Sequence, residues 1–165
     1  MVGSRFRRHL KDLGEIDSMI NPYEIGGAFA SDFRAMEYAM KRSGFLRKNM
    51  AVAEADWDLF AQSLGAAFYD QVVEQAIAAQ LIGVPPRRLM ANMQWSPQIT
   101  IPLTNVAQLI INGVRRVRNS YFHGEKFTGG PEGQWVRDVA LVAEAHAVLK
   151  LAMIFASNTF ATSQV

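Results

Sequence analysis

Apolar side chains recur at steps of three and four residues along most of the chain, and this spacing predicts helices. The pattern is clear in five segments, residues 6–20, 21–44, 53–81, 102–123 and 134–155. Alternation of apolar and polar positions, which would predict strands, is scarce. The sequence therefore predicts an all-α fold, an up-down bundle of four to five helices with a Pro-rich crossing segment.

Local signals mark where these helices begin and end. Asn21 and Pro22 favour a helix start, and Gly44 favours a helix end. Asp56 and Asp58 are expected in the first turn of the next long helix, where acidic groups complement the helix dipole. The core-facing side chains are predicted to be Phe29, Phe33, Met36, Tyr38 and Met40 in the first of these helices, and Trp57, Phe60, Leu64, Phe68, Val72, Ile77 and Leu81 in the second.

The segment 82–101 interrupts the helical pattern, because Gly83 and three prolines are incompatible with one regular helix. A segment this long and apolar is expected to pack down on the bundle as a flap. Between the prolines, residues 87–95 are predicted to form a short helix. Its inward side chains are expected to be Leu89, Met90, Met93 and Trp95.

Composition narrows the class of protein. The 165 residues are 50% hydrophobic and 19% charged, values typical of a globular protein, and the length suits a single domain covering residues 1–165. The lack of Cys excludes disulfides and thiolate metal sites and fits a reducing, cytoplasmic setting. No apolar run is expected to reach the roughly 20 residues of a membrane span, and the basic start of the chain lacks the apolar stretch of a signal peptide.

Positive charge is concentrated in a few places, although the net charge is only +2. Arg accounts for 12 of the 17 basic residues, and its planar fork binds phosphate through two parallel hydrogen bonds. Such clusters are often no more than solvated helix ends. The densest one lies at the end of the segment 102–123 and consists of Arg115, Arg116 and Arg118.

Asn119 and His123 follow this cluster and are neighbours at a spacing of four residues on a helix. Arg118 and His123 do not share a face, since about 100° per residue sets them about 140° apart and about 7.5 Å apart along the axis. If they act together, either the helix ends or distorts near His123, as Gly124 suggests, or the same residues of a second chain complete the pair.

The spacing of Arg118, Asn119 and His123, followed by Gly124 and a Gly-rich link to the last helix, resembles the signature of the HEPN superfamily. The early helical string 33–42 also resembles that family. The resemblance implies a HEPN-like fold and a metal-independent endoribonuclease that acts as a homodimer on an RNA substrate such as tRNA or mRNA. It also implies products with 2′,3′-cyclic phosphate and 5′-OH ends, a toxin–antitoxin or phage-defence setting, and a possible antitoxin protein as partner.

The resemblance implies a role for each residue of the motif. His123 would serve as general base or general acid, and a helix carboxyl end favours its protonated form. Arg118 would hold the scissile phosphate and Asn119 would orient His123 or the phosphate. Three more cations are predicted to bind flanking phosphates: Arg115, Arg116 and Lys126.

An auxiliary polar patch is predicted on the early helix, beside the motif. It consists of Arg34, Glu37, Tyr38 and Lys41, although Glu37 and Lys41 also have the spacing of an ordinary surface salt bridge. Glu125 stands where some HEPN toxins carry a modified Tyr, so regulation by that route is not expected. His9 and His146 lack a carboxylate–His spacing, and no metal or cofactor is expected.

A second class of function fits the same residues. A non-catalytic helical module for dimerisation, or for nucleotide or RNA binding, would use Arg118 and His123 to hold an interface network. Binding of RNA without strand scission would distinguish this module from a nuclease.

Overall fold

The computed structural model describes residues 22–122 and 135–162, with side-chain surroundings for residues 25–121 and 137–158. Within these residues the fold is mainly helical, with five helices and one very short hairpin, so the predicted all-α class is confirmed. The helices are α1 (Pro22–Arg42), α2 (Trp57–Glu74), α3 (Ala79–Gly83), α4 (Val106–Gln108, Leu109–Val114 and Arg115–Phe122 in succession) and α5 (Trp135–Thr162). The helix predicted for residues 6–20 and the Gly-rich link lie outside the described residues.

Helix α5 lies at the centre of the core. It packs most extensively against α1 and also contacts α2, α3 and α4. Its buried apolar side chains are Leu141, Val142, Ala145, Val148, Leu149 and Ala152. They belong to one continuous hydrophobic cluster, and burial of this apolar surface is the main contribution to stability.

Helix α1 ends as predicted. Gly44 has a φ of 88°, in the left-handed region that follows many helices, and the backbone N–H of Phe45 donates to the carbonyl of Met40 at 2.9 Å. Phe29, Phe33, Met36 and Met40 are buried as expected. Tyr38, in contrast, is 64% exposed, so its predicted place in the core is wrong. Two residues after Met36, a side chain points about 160° away from the buried face.

The predicted helix 53–81 is in fact two helices. Helix α2 begins at Trp57, where the Asp56 Oδ1 atom accepts a hydrogen bond from the Leu59 N–H at 2.9 Å. It kinks at Gly65 and ends at Glu74, and Ala76, with a φ of 51°, breaks the chain before α3. Periodicity alone misses this break because Ile77 and Leu81 still pack on the core.

A side chain distant in sequence caps α3. The Glu144 carboxylate on α5 accepts hydrogen bonds from the backbone N–H groups of Gln80 at 3.3 Å and Leu81 at 2.6 Å. The local cap residue Ala78 has no side chain able to do this. Helix α3 is therefore held at its amino end by α5.

The short helix predicted for residues 87–95 is wrong. These residues form a hairpin in which β1 (Arg88–Leu89) pairs antiparallel with β2 (Trp95–Ser96). Met93 is 70% exposed and has a φ of 62°, so it turns the chain instead of packing inward. Hydrogen bonds hold the two ends of this segment together and to α2. The Leu103 N–H donates to the Ile82 carbonyl at 2.9 Å, and the Tyr69 hydroxyl donates to the Leu103 carbonyl at 2.7 Å.

Helix α4 begins at Val106, capped by Asn105, four residues later than the predicted start at Pro102. Its middle, Leu109–Val114, is π-helical, and the Arg115 N–H donates to the carbonyl of Ile110, five residues back. Helix α4 passes close to its neighbours there, since a Cβ on Gly113 would lie 3.2 Å from Leu103 Cδ1. The wider turn rotates the segment that follows it, which carries the Arg cluster.

In the described part of the chain, one segment is long and apolar enough to cross a membrane by length and composition alone. It is Arg137–Asn158 in α5, with a mean hydropathy of 1.9, so the expectation that no apolar run reaches this length is wrong. The same segment supplies the centre of the core, and a helix contacted from several sides needs apolar residues around most of its circumference.

Candidate functional site

The site is built on a pair of stacked aromatic rings. Phe33 from α1 and Trp57 from the start of α2 lie with their ring centroids 4.6 Å apart and their planes at 26°. Both side chains are almost fully buried. The Trp57 indole N–H donates to the Glu37 Oε1 atom at 3.0 Å, which fixes the orientation of the larger ring.

Two arginines of α4 lie against these rings. The Arg118 guanidinium carbon is 5.2 Å from the Phe33 ring centroid, and that of Arg115 is 5.9 Å from the Trp57 centroid. Arg115 and Arg118 are three residues apart and so project from one side of the helix. Each distance falls in the range of a cation–π interaction, which stabilises a guanidinium by about 0.5–2 kcal/mol.

Asn119 contacts the Arg118 guanidinium directly. The Arg118 Nη1 atom donates to the Asn119 Oδ1 atom at 3.1 Å. The guanidinium of Arg118 is thus held both by an aromatic ring from α1 and by its neighbour on α4. Among the predicted catalytic residues, the structure brings Arg118 and Asn119 together.

Burial lowers the pKa of the Arg115 guanidinium. Asp58 and Glu37 oppose this change by their negative charge, while Arg47 and Arg118 add to it by repulsion. An arginine begins so far above neutrality that Arg115 still carries its charge at physiological pH. Burying the charged Arg115 side chain therefore lowers the free energy of unfolding, and its contact with the Trp57 ring partly offsets this loss.

Arg116 lies on another side of α4. It is about 160° from Arg118 around the helix and lines an open cleft of about 430 Å³ between α4 and the hairpin segment. Arg115 and Arg116, predicted together as binders of flanking phosphates, therefore occupy different surroundings. Arg115 is turned onto the aromatic pair and Arg116 onto the cleft.

The predicted auxiliary residues on α1 also occupy different surroundings. Glu37 is at the site through Trp57, and the Glu37–Lys41 salt bridge is not among the ion pairs of the described residues. Arg34 is exposed, and Tyr38 is exposed with the Arg42 guanidinium carbon 5.2 Å from its ring centroid. Among the described residues of this group, Glu37 is the one that hydrogen-bonds to the aromatic pair.

His123 and Lys126 lie outside the described residues. The described helix ends at Phe122, so the chain position of His123 directly follows the last turn that carries Arg118 and Asn119. The prediction that His123 joins them stays a prediction.

A histidine–carboxylate pair occurs elsewhere, where the sequence offered no local signal. His146 Nε2 on α5 is 2.6 Å from Asp32 Oδ2 on α1, and the His146 ring lies 5.8 Å from that of Phe29. The two residues are 114 positions apart, so no motif could have revealed them. Within residues 22–122 and 135–162, no three His, Asp or Glu side chains gather as metal ligands would.

The aromatic partners of the arginines were also missed as site residues. Phe33 and Trp57 were predicted for the core, and they are in it, but each also presents a ring to a cation. No periodic pattern distinguishes such a residue from its buried neighbours.

Comparisons with protein-family models, with curated proteins and with solved structures return no match for this chain.

Proposed function

We propose that this protein is a metal-independent endoribonuclease of the HEPN type that acts as a cytoplasmic homodimer. The observation that carries the proposal is the Arg118 guanidinium, which is positioned by the Asn119 amide oxygen and the Phe33 ring at the end of α4. His123 follows five residues later in the sequence. The mainly helical fold is compatible with the HEPN family.

Arg118 is suited to the charge that develops during RNA cleavage. A guanidinium is a planar group with several N–H donors, and it stays charged at every physiological pH. Because contacts with Asn119 and Phe33 help to hold its position before substrate arrives, little reorganisation is needed when a phosphate binds. This preorganisation favours an electrostatic role at the phosphorane.

The reaction needs no cofactor because RNA carries its own nucleophile. The ribose 2′-oxygen attacks the adjacent phosphorus, its proton passes to a base, and the P–O5′ bond breaks as the leaving oxygen receives a proton. In the proposal, His123 performs one of these proton transfers and Arg118 stabilises the phosphorane charge. The products are a 2′,3′-cyclic phosphate and a 5′-OH end.

Helical geometry supports a second copy of the chain as the partner. Arg118 and His123 would lie about 140° apart on a regular helix, so a single helix does not present both to one phosphate. Two symmetry-related copies can supply the missing group across a shared cleft. A toxin–antitoxin or phage-defence setting, with an antitoxin protein as further partner, enters this proposal through the family resemblance alone.

The test is cleavage of tRNA and mRNA by the purified protein in EDTA. We expect Arg118→Ala to lower the single-turnover rate about 10²–10³-fold and His123→Ala about 10²–10⁴-fold. Lys150→Ala, which removes an exposed cation on α5, is the matched control and should retain full activity. A 2′-deoxy substitution at the mapped cleavage site should abolish cleavage there, since it removes the nucleophile.

Equal RNA decay in the parent protein, Arg118→Ala and His123→Ala would contradict the nuclease proposal. RNA binding without scission would instead favour the non-catalytic module. A protein that sediments as a monomer at assay concentration, yet cleaves RNA, would contradict the shared site.

A further inference from the structure

The cleft between α4 and the hairpin segment has the size and the lining of a ligand site. Its volume of about 430 Å³ falls within the range of small-molecule pockets, about 300–1,000 Å³. One wall is apolar and is formed by prolines of the segment 85–102. The charged residues among the described ones that line it are Arg88 and Arg116, so its electrostatic character is cationic.

Three polar side chains of α4 form a row along the opposite wall. Gln108, Asn112 and Arg116 recur at steps of four residues, and all three line the cleft. On a regular α-helix such a row drifts by about 40° per step. Here the π-helical segment Leu109–Val114 lies between Gln108 and Arg116 and includes Asn112, and because its turns contain more residues, side chains four apart stay closer to alignment.

The side chains of this row can donate hydrogen bonds to a ligand. Both contacts of the Gln108 Oε1 atom go to Thr104, from its backbone N–H at 2.8 Å and its hydroxyl at 3.2 Å. The Gln108 amide can therefore offer a ligand its NH₂ group. Asn112 is exposed within the π-helical segment, and Arg116 supplies a planar fork.

An apolar wall, amide donors and two arginines together match a nucleotide. The phosphate would bind the Arg116 and Arg88 guanidinium groups, the base would lie against the proline wall, and the amides would donate to the acceptors on its edge. Arg116 is two residues from Arg118 but on the far side of the helix, so a strand bound at both must cross α4. A side-chain-coated helix is about 10–12 Å wide, a distance that requires several linked nucleotides rather than a single one.

We infer that this cleft binds a nucleotide unit of single-stranded RNA that flanks the phosphate held at Arg118. This inference rests on the proposed nuclease function for its substrate class. The cleft is a binding subsite, and its residues take no part in the proton transfers.

The experiment measures binding of fluorescent oligouridine and oligoadenosine in the His123→Ala background, where the RNA stays intact if the protein is a nuclease. We expect Arg88→Ala and Arg116→Ala each to weaken binding about tenfold and to reduce the slope of log affinity against log salt by about 0.7. Asn112→Leu should weaken binding with an unchanged salt slope, because it removes a neutral donor. Lys150→Ala is the charge-matched control, and circular dichroism with thermal melting checks that each variant folds.

Unchanged RNA binding in all three cleft variants, beside a loss in Arg118→Ala, would overturn the inference. Uridine or adenosine monophosphate bound as tightly as the oligonucleotides would also overturn it, since the site would then be one for free nucleotides. Parent protein that binds RNA through the cleft without cleaving it would contradict the nuclease proposal alone. If Arg88→Ala and Arg116→Ala cleave RNA with the KM of the parent protein, the inferred role of the cleft is contradicted and the nuclease proposal is not.

Discussion

The Arg118 guanidinium on α4 lies 5.2 Å from the ring centroid of Phe33 on α1. This contact joins a charged residue of the motif to a core residue 85 positions earlier, and it gives α1 a direct part in placing the cation. Phe33 in turn stacks on Trp57, which lies under Arg115. Two cations of α4 are therefore placed by one buried aromatic pair.

Replacing the Phe33 ring should weaken the site more than the fold. Phe33→Leu keeps an apolar side chain in the core but removes the π face, worth about 0.5–2 kcal/mol to the cation. If Arg118 acts in cleavage, the single-turnover rate should fall about two- to thirtyfold. Phe68→Leu is the control, since Phe68 is equally buried and its ring packs on that of Phe155 on α5. A similar rate loss in both variants would show that general core packing is responsible.

Adding a methyl group should have opposite effects at two helical glycines. A Cβ at Gly27 on α1 meets nothing within 4 Å, so Gly27→Ala should stabilise by about 0.5–1 kcal/mol through reduced backbone entropy. A Cβ at Gly113 would lie 3.2 Å from Leu103 Cδ1 and 3.4 Å from Leu81 Cδ2, both on buried side chains. Gly113→Ala should destabilise by about 1–3 kcal/mol in urea unfolding. Stabilisation by Gly113→Ala would mean that these leucines can move aside.

The capping of α3 by Glu144 can be tested in the same assay. Glu144→Ala leaves the Gln80 and Leu81 N–H groups without their acceptor and should lower the free energy of unfolding by about 1–3 kcal/mol. Glu144→Gln keeps one amide oxygen as an acceptor and should cost less. Glu74→Ala, at an exposed position, is the control and should stay within about 0.5 kcal/mol of the parent. An effect of Glu144→Ala no larger than that of Glu74→Ala would contradict the cap.

The Asp32–His146 pair should contribute to the docking of α1 on α5. In a double-mutant cycle of Asp32→Asn and His146→Gln, we expect a coupling free energy of about 1–2 kcal/mol, because the His146 side chain is 11% exposed and the oxygen lies 2.6 Å from its ring nitrogen. Arg47 and Glu54 form a matched exposed pair, 3.6 Å apart, whose coupling should be under 1 kcal/mol. Equal coupling in the two cycles would refute a special role for the half-buried Asp32–His146 pair.

The sequence by itself determined the all-α class and the approximate positions of the long helices, because apolar periodicity, caps and Gly stops act within a few residues of each other. The carboxyl end of α1 and most buried residues of α1 and α2 followed from these local signals, and Asp56, expected in the first turn of α2, lies one residue before it as its cap. The cluster of arginines before His123 could also be located, along with the resemblance it carries.

Only the tertiary structure decided how those arginines are used. The rings under Arg115 and Arg118 come from α1 and α2, and the cleft at Arg116 depends on a hairpin and a π-helical turn. The amino end of α3 is likewise capped by a side chain of α5, Glu144. The aromatic contacts, the cleft and the cap join residues far apart in the chain, and the free energy of such contacts depends on which surfaces meet, which no local pattern records.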